Sequence, residues 1–268
     1  MYFNQSVFLQ FALRRPYGIH SPFLYDLADN CIFSKESSAD FLLLEQKRKE
    51  LLNDHTEINV FDFGPGPKRF AINPGVESIS YRRKVSSIAR NALLSPAMCR
   101  LMWRLTKYFS PKTILEVGTS LGVTTSYLAN AAPESKIITL EGCPQTAARA
   151  EMLFKECGAA NINLYVGHFD NTLPNALEQL VKVDLAYLDG DHSYKAAMQN
   201  FSTILGHLHP ESVLIVDDIR WSKGMRAAWC EMKDHHQVTL AVDLYKTGIL
   251  FFNPALSKQI VPVGFYFF

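Results

Sequence analysis

The sequence lacks an excess of charge of either sign. Its 27 lysines and arginines nearly balance 26 aspartates and glutamates, so the formal net charge is +1 at pH 7. A surface that binds nucleic acid needs a marked basic excess, and this balance therefore argues against nucleic acid as a partner. The expected partner is a small molecule with little or no charge.

Long hydrophobic runs and paired cysteines are also missing. No run reaches the ~18 apolar residues that cross a bilayer, and the basic residues near the N-terminus follow a short apolar stretch instead of preceding it, unlike a secretory signal. The five cysteines form no CxxC pair, which argues against a disulfide framework and a zinc site. We therefore expect a cytoplasmic protein with buried thiols and no membrane association.

What the sequence does contain, beyond about residue 111, is an alternation of short apolar runs with longer amphipathic stretches. The runs are "TILEV" (113–117), "KIITL" (136–140), "INLYV" (162–166), "VDLAYLD" (183–189) and "SVLIVDD" (212–218). Such alternation indicates βαβ units and a doubly wound, mainly parallel sheet. Two further runs, 237–244 and 247–253, are too close for a crossover helix and predict an antiparallel hairpin. Residues 95–268 are thus predicted to form a Rossmann-like α/β domain with seven strands.

Residues 1–94 lack this rhythm and predict a mostly helical extension that serves as a substrate lid or a homodimer contact. "SADFLLLEQKRKELLNDH" (38–55) has leucines at helical spacing, with Ser38 or Asp40 as the cap. "SPAMCRLMWRLTKYFS" (95–110) predicts the helix that leads into the domain, because Ser-Pro is typical of a helix N-terminus. The closing "IVPVGFYFF" is apolar enough to require cover from the sheet or a second subunit.

Two stretches combine an apolar run with paired glycines, as nucleotide-binding turns do. After "VFDFGPGPK" (60–68) come further prolines and no helical pattern, which predicts a rigid loop of the extension near the acceptor pocket. "TILEVGTSLGVTT" (113–125) is followed at once by an amphipathic helix, whose N-terminus supplies free N–H groups. The second stretch is therefore the predicted cofactor turn.

Glu141 supports this choice. It ends the next apolar run, 23 residues past Gly118, where an acid can accept two hydrogen bonds from a ribose diol. The glycines are spaced Gly118-x-x-x-Gly122, which differs from the GxGxxG pattern of dinucleotide enzymes. A nucleoside without phosphates is the predicted ligand.

From Ser95 to Gly224 the chain resembles the class I S-adenosylmethionine-dependent methyltransferases, and among them the catechol and caffeoyl-CoA type O-methyltransferases. The resemblance rests on six motifs in order: "LLSP", "ILEVGTSLGVTTSYLA", "IITLEGCP", "GHFDNTLP", "VDLAYLDGDHSY" and "LIVDDIRWSKG". It implies S-adenosylmethionine as cofactor and methyl transfer to a hydroxyl of a small molecule.

The resemblance also implies residue roles around the cofactor. The turn that holds the methionine part would consist of Glu116, Gly118, Thr119, Gly122 and Thr124. Glu141 would hold the ribose. Gly167, His168 and Phe169 would lie along the adenine, with Asp170 near its amine, and Asp189 would complete the cofactor site.

Two acidic clusters, Asp189-Gly190-Asp191 and Asp217-Asp218, follow neighbouring strands and should meet at one edge of the sheet. Carboxylates that close repel one another unless a cation lies between them, and oxygen ligands with room for water suit Mg²⁺. The resemblance implies Asp189, Asp217 and Asp218 as the ligands of Mg²⁺ or another divalent cation. The alternative is that these acids only cap loops or a helix.

Methyl transfer to a hydroxyl also requires a base. His192 stands where catechol-type enzymes carry a lysine, and imidazole titrates near neutrality. Asp191 is the rival base, and His192 could instead cap the following helix. At the level of the whole protein, a nicotinamide-dependent oxidoreductase and a methyltransferase-like binding module without turnover remain open.

Overall fold

The computed structural model describes residues 19–62 and 79–264. The helices are α1 (Pro22–Leu27), α2 (Leu42–Asn53), α3 (Val85–Ala92), α4 (Pro96–Phe109), α5 (Val123–Ala131), α6 (Pro144–Glu156), α7 (Phe169–Leu180), α8 (Tyr194–Leu205) and α9 (Lys223–Asp234). A π-helical turn (Ala28–Ile32) follows α1, and a 3-10 turn (Ser38–Phe41) precedes α2.

Ten strands accompany these helices in the described residues. They are β1 (Glu57–Asp62), β2 (Ile79–Lys84), β3 (Thr113–Val117), β4 (Lys136–Glu141), β5 (Ile162–Val166), β6 (Leu185–Leu188), β7 (Val213–Val216), β8 (Leu240–Asp243), β9 (Gly248–Phe251) and β10 (Gln259–Pro262). β1 and β2 form a separate antiparallel pair, and the other eight strands form one sheet.

The large sheet has the strand order β10-β8-β9-β7-β6-β3-β4-β5. Only β9 runs against its neighbours β7 and β8, while the remaining neighbours are parallel. The chain moves outward from β3 to β4 and β5, then returns to β6 beside β3. At such a reversal the loops after the two central strands diverge and leave a crevice at their carboxyl ends.

Both faces of this sheet are covered, which explains why its central strands are apolar on both sides. Leu115 and Val117 of β3 pack on one face in a cluster with side chains of α7, α8 and α9. Ile114 packs on the other face, with side chains of α1, α4 and α5. Since α1 lies in the predicted extension, residues 22–32 share the core of the domain.

The β1–β2 hairpin is attached beside the carboxyl end of the sheet. Ile58 and the α3 side chains Val85 and Ile88 pack on Leu121 of the cofactor turn. The backbone N–H groups of Asn59 and Phe61 donate to Gln145 Oε1 at 2.6 Å and Cys143 Sγ at 3.4 Å. These side chains give hydrogen-bond partners to the edge of β1 that does not pair with β2.

The predicted fold is confirmed, with two corrections. The sheet has eight strands instead of seven, because Gln259–Pro262 of the apolar C-terminal stretch adds β10 alongside β8. The helix α2 also begins later than predicted: it follows Phe41, and the side chain of Ser37 accepts the N–H of Ala39 at the start of the preceding 3-10 turn. The antiparallel pair β8–β9 and the Ser95 cap of α4 agree with the sequence prediction.

The structure bears on two expectations from the composition, the burial of the cysteines and the lack of membrane-spanning segments. Cys31, Cys99 and Cys143 are buried, while Cys157 is partly buried and Cys230 is exposed. None of the helices placed by the structure has both the length and the apolar character of a bilayer-spanning segment. The boundary between the extension and the domain at residue 94 stays a prediction.

Candidate functional site

A cleft of about 980 Å³ opens at the carboxyl ends of β3, β4, β5 and β6. One wall consists of the loops that follow these strands, and Gly118, Glu141, Phe169 and Asp189 line it. The opposite wall comes from the β1–β2 hairpin and α3. The cleft thus lies at the crevice where the strand order reverses, the usual ligand site of an open α/β sheet.

The turn after β3 adopts a backbone that only glycine adopts without strain. Gly118 has φ +105°, and a Cβ atom there would lie 2.1 Å from the carbonyl oxygen of Asp189. Gly122 has φ +80°, and its Cβ would meet the ring of Phe154 at 2.6 Å. Both glycines are therefore required by close packing, and the first brings the β3 loop directly against the β6 loop.

Glu141 lies at the tip of β4 as predicted, and its carboxylate is fixed in the cleft. Its Oε2 accepts the backbone N–H of Ser120 at 2.8 Å, and its Oε1 accepts that of Cys143 at 2.9 Å. Ser120 has φ +50° and lines the cleft. The sequence prediction missed Ser120, although its place between the two glycines of the turn was a usable signal.

Glu116 is fully buried and does not line the cleft. Its Oε2 accepts hydrogen bonds from Thr125 Oγ1 and, at 2.6 Å, from Thr139 Oγ1, while its Oε1 has no partner. Burial, and next the nearby Glu141 charge, raise the pKa of Glu116 to about 7. Glu116 therefore links strand β3 to Thr125 of α5 and Thr139 of β4.

The other residues predicted around the cofactor fall into two groups. His168 and Phe169 line the cleft, with His168 at the N-cap of α7, and Asp170 accepts from Gln199 Nε2 at 3.0 Å. Thr119 instead shares a 2.6 Å hydrogen bond with Thr139 in the interior. Gly167, with φ +145°, Gly122 and Thr124 do not line the cleft.

A cluster of possible metal ligands lies at the ends of β6 and β7. Ligand atoms of Asp189, His192 and Asp218 lie within 4.8 Å of one another. His192 Nε2 is 4.0 Å from Asp189 Oδ1 and 3.8 Å from Asp218 Oδ2. Asp218 has φ +51°, so the backbone after β7 turns sharply to bring its carboxylate there.

Asp217 lies outside this cluster. Its Oδ1 accepts from Thr247 Oγ1, and its Oδ2 accepts from Tyr187 Oη at 3.3 Å. Tyr187 also donates to Asp189 Oδ2 at 3.1 Å. Neither hydroxyl was singled out from the sequence, although Tyr187 stands two residues before Asp189.

The carboxylates of Asp189, Asp217 and Asp218 repel one another when they are ionised. Burial, followed by the charges of Asp217 and Asp218, raises the pKa of Asp189 well above its usual range. Burial also raises the pKa of Asp217, against the opposing hydrogen bond from Thr247. A cation in the cluster would remove this repulsion and allow both carboxylates to ionise.

The two candidate bases differ in their surroundings. His192 lines the cleft, and its ring centroid is 6.2 Å from that of Trp221. Asp191 also lines the cleft, but its Oδ1 accepts the backbone N–H of Ser193 at 2.8 Å. The helix α8 is capped by Ser193, whose hydroxyl accepts from Ala196 N at 3.2 Å, so the capping role considered for His192 belongs to Ser193.

The residues of the opposite wall of the cleft were not predicted as site residues from the sequence. Phe61, Tyr81, Arg83 and Asn91 line it, and Arg83 Nη2 donates to the Ser87 carbonyl at 3.2 Å. Residues 60–62 of the "VFDFGPGPK" stretch end strand β1, and the predicted rigid loop at 63–68 lies outside the described residues.

Residues 115–219 match the family model described as a methyltransferase domain. The O-methyltransferase hkm8 of Aspergillus hancockii is 32% identical over 143 residues, 50% of this chain and 55% of the relative. The human transmembrane O-methyltransferase is 28% identical over 131 residues, 47% of this chain and 44% of the relative. The chain therefore spans about half the length of these curated relatives.

The fold is also that of solved methyltransferases. The O-methyltransferase from Bacillus cereus in complex with S-adenosylhomocysteine aligns with a TM-score of 0.52 and 19% identity, over 60% of this chain and 83% of that one. Residues 115–219 of this protein are therefore similar to known methyltransferase domains, and the resemblance to S-adenosylmethionine-dependent O-methyltransferases is confirmed by these matches.

Proposed function

We propose that this protein is an S-adenosylmethionine-dependent O-methyltransferase that acts on a hydroxyl group of a small molecule. The observation that carries the proposal is the single cleft that joins the glycine turn, the Glu141 carboxylate and the Asp189 cluster. The names of the relatives favour methyl transfer over the nicotinamide-dependent alternative. A turnover assay over a broad panel of hydroxyl acceptors separates an enzyme from a binding module.

The cofactor is proposed to lie between the turn after β3 and the tip of β4. Glu141 would accept two hydrogen bonds from the ribose hydroxyls, and the close approach of Gly118 to the β6 loop would leave room for the methionine part. Phe169 offers an apolar ring to the adenine. Glu116 would act through Thr125 and Thr139, which hold the turn and its helix in place.

Calorimetry with S-adenosylhomocysteine tests this placement. Glu141→Ala should weaken binding about 100-fold, since two hydrogen bonds to a charged group contribute about 1.5–3 kcal/mol each before compensation by water. Glu134→Ala, which removes an exposed carboxylate that does not line the cleft, is the matched control. Equal binding by wild type and Glu141→Ala would refute the proposed cofactor site.

The acidic cluster fits a divalent cation, because two carboxylates and an imidazole face one another there and the carboxylate of Asp189 resists ionisation without one. Asp189 and Asp218 would hold Mg²⁺ or another divalent cation. Such a cation supplies an acidified acceptor hydroxyl when it is bound. Asp217, also expected as a ligand, would stabilise the site from behind through Tyr187.

A pair of neighbouring variants tests the metal proposal. Asp218→Asn should weaken Mn²⁺ or Mg²⁺ binding about tenfold or more, whereas Asp217→Asn should weaken it less, because Thr247 and Tyr187 already occupy both oxygens of Asp217. Calorimetric titration of the cation measures both. Activity that persists in EDTA, or the reverse order of the two variants, would contradict this assignment.

His192 is the proposed base that removes the hydroxyl proton. It faces the cleft beside the cluster, and none of the hydrogen bonds found in the described residues fixes its ring. Asp191 is the less suitable base because its Oδ1 already holds the backbone of the loop. As the oxygen attacks the methyl group and S-adenosylhomocysteine leaves, the hydroxyl proton would pass to His192, whose ring lies 4.0 and 3.8 Å from the Asp189 and Asp218 carboxylates.

A further inference from the structure

We propose that the methyl acceptor carries a carboxylate group, and that Arg83 binds this group at the hairpin wall of the cleft. The inference rests on the proposed function, since it assigns the second ligand of the cleft to the acceptor. It concerns residues outside the segment that matches the methyltransferase family, and thus a feature of this chain in particular.

The cleft has room for a second ligand. Its volume of about 980 Å³ lies at the upper end of the range of small-molecule sites. Glu141 and the glycine turn occupy the wall of strand ends. Phe61, Tyr81 and Arg83 remain on the other wall, with Ser87 and Asn91 of α3 beside them.

The charges of the cleft are segregated by structural origin. The lining acids all follow strands of the large sheet: Glu141, Asp170, Asp189 and Asp191. The lining arginines, Arg82 and Arg83, both lie on β2 of the hairpin. A ligand that spans the cleft therefore meets arginine side chains only at the hairpin end, as far as the described residues extend.

The two arginines are not equivalent. Arg82 has a side chain that is 72% exposed and pairs with Glu57 Oε2 at 3.2 Å. Arg83 is half-buried, and its partner among the described residues is the neutral carbonyl of Ser87. That hydrogen bond holds one guanidinium nitrogen and leaves the others able to donate to a ligand.

Among the described residues, the partly buried guanidinium of Arg83 has no carboxylate partner, and a charge removed from water in part is more stable when it is paired. The planar guanidinium matches a carboxylate through two parallel hydrogen bonds. Since Glu57 already compensates Arg82, Arg83 is the one lining arginine without an ion pair in the part of the chain that the structure describes. This charge matches a monoanionic carboxylate better than a phosphate dianion.

The test compares two probes with identical hydroxyls, 3,4-dihydroxybenzoate and 3,4-dihydroxybenzamide. Exposed aromatic side chains around the cleft, Phe61, Tyr194 and Trp221, suit their flat rings. Calorimetry is performed on the full chain loaded with S-adenosylhomocysteine. Wild-type protein should bind the benzoate at least about tenfold more tightly than the benzamide, a ratio that corresponds to one charge-assisted hydrogen-bonded pair.

Arg83→Gln should reduce this preference to less than about twofold and leave the affinity for S-adenosylhomocysteine unchanged. Arg82→Gln is the matched control and should keep the preference, because Arg82 is exposed and already paired. Arg83→Lys should retain part of the preference for the benzoate over the benzamide. The thermal midpoint of each variant shows that a loss of binding is not a loss of folding.

Several results would overturn the proposal: equal binding of the two probes, binding of neither probe, or the same loss in Arg82→Gln as in Arg83→Gln. Tighter binding of phenyl phosphate than of benzoate would overturn the carboxylate assignment. Failure of S-adenosylhomocysteine to bind would instead refute the proposed function. The benzoate titration of cofactor-free protein would then still report on Arg83, so the two failures are distinguishable.

Discussion

The two walls of the cleft differ in origin, charge and the way in which they are held. The strand-end wall consists of loops whose backbones are fixed by close contacts, such as that between Gly118 and the carbonyl of Asp189. The hairpin wall is attached to the sheet by an apolar cluster and by hydrogen bonds from its backbone N–H groups to the side chains of Gln145 and Cys143. The first wall carries carboxylates, and the second carries arginines and aromatic rings.

This difference indicates a division of labour. The rigid, acidic wall suits cofactor binding and proton removal, which need fixed geometry. The hairpin wall suits acceptor recognition, because it lies outside the segment that matches the family and its side chains project into the cleft from a single β-ribbon. Substitutions on the first wall should change kcat or cofactor affinity, whereas substitutions on the second should change the KM of the acceptor.

The largest expected effect is on the strand-end wall. His192→Ala should lower kcat about 10²–10⁴-fold, the usual contribution of a general base, with little change in the affinity for S-adenosylhomocysteine. Steady-state kinetics and calorimetry measure the two quantities. His236→Ala removes an exposed imidazole that does not line the cleft and should retain full activity. A His192→Ala enzyme with wild-type kcat would transfer the role of base to Asp191.

Gly118→Ala tests how rigidly the same wall is built. We expect the free energy of unfolding to fall by about 2–5 kcal/mol, because the added methyl group meets the Asp189 carbonyl and the backbone at φ +105° is strained for alanine. Gly158→Ala is the control: its φ is +67° but no atom lies within 4 Å of the added carbon, so about 1 kcal/mol is expected. Urea denaturation measures both. Equal losses would show that packing against the β6 loop is unimportant.

Glu116 should make the free energy of unfolding depend on pH. Its pKa is raised to about 7 in the folded protein from the ordinary glutamate pKa of 4.5, so between these two pH values the folded state keeps a proton that the unfolded state releases. The free energy of unfolding should therefore fall as the pH rises from 4.5 to 7, by up to about 3 kcal/mol, and then level off. Glu116→Gln should remove this contribution. Urea denaturation from pH 5 to pH 8 measures the free energy of unfolding of both proteins. The same change with pH in wild type and Glu116→Gln would contradict the prediction.

The smallest effect is expected on the hairpin wall. Phe61→Ala should raise the KM of an aromatic acceptor about three- to tenfold, through the loss of ring contact, and leave cofactor affinity unchanged. Leu42→Ala, at a side chain that is 69% exposed and does not line the cleft, is the control. A Phe61→Ala enzyme that loses cofactor affinity instead would break the division between the walls.

The sequence predicted that Glu141 and Asp189 would lie at the strand-end wall because both stand at the ends of buried strands. Glu141 and Asp189 could be placed from periodicity alone, since parallel strands end at one edge of a sheet. Thr247 could not, because it reaches Asp217 through the antiparallel return of β9, 30 residues further along the chain. The partner of a carboxylate depends on such long-range pairing.

The hairpin wall was not predicted because no local sequence pattern indicates that β1 pairs with β2. Strands β1 and β2 lie on either side of residues 63–78, and neither "EINVFD" nor "ISYRRK" has the fully apolar pattern of the central strands. The eighth strand of the sheet was missed for a similar reason, since β10 ends in a proline and its side chains are only partly buried.

The attachment of β1 has a consequence for redesign of the protein. Ile58 and Val60 anchor the strand in the apolar cluster, while at Asn59 and Phe61 the anchoring groups are backbone N–H groups that every residue except proline possesses. The residue at position 61 lines the cleft, and its side chain is 41% exposed. A library at this position can change the range of acceptors without detaching the hairpin, so the molecule offers a site for directed evolution that is separate from its catalytic machinery.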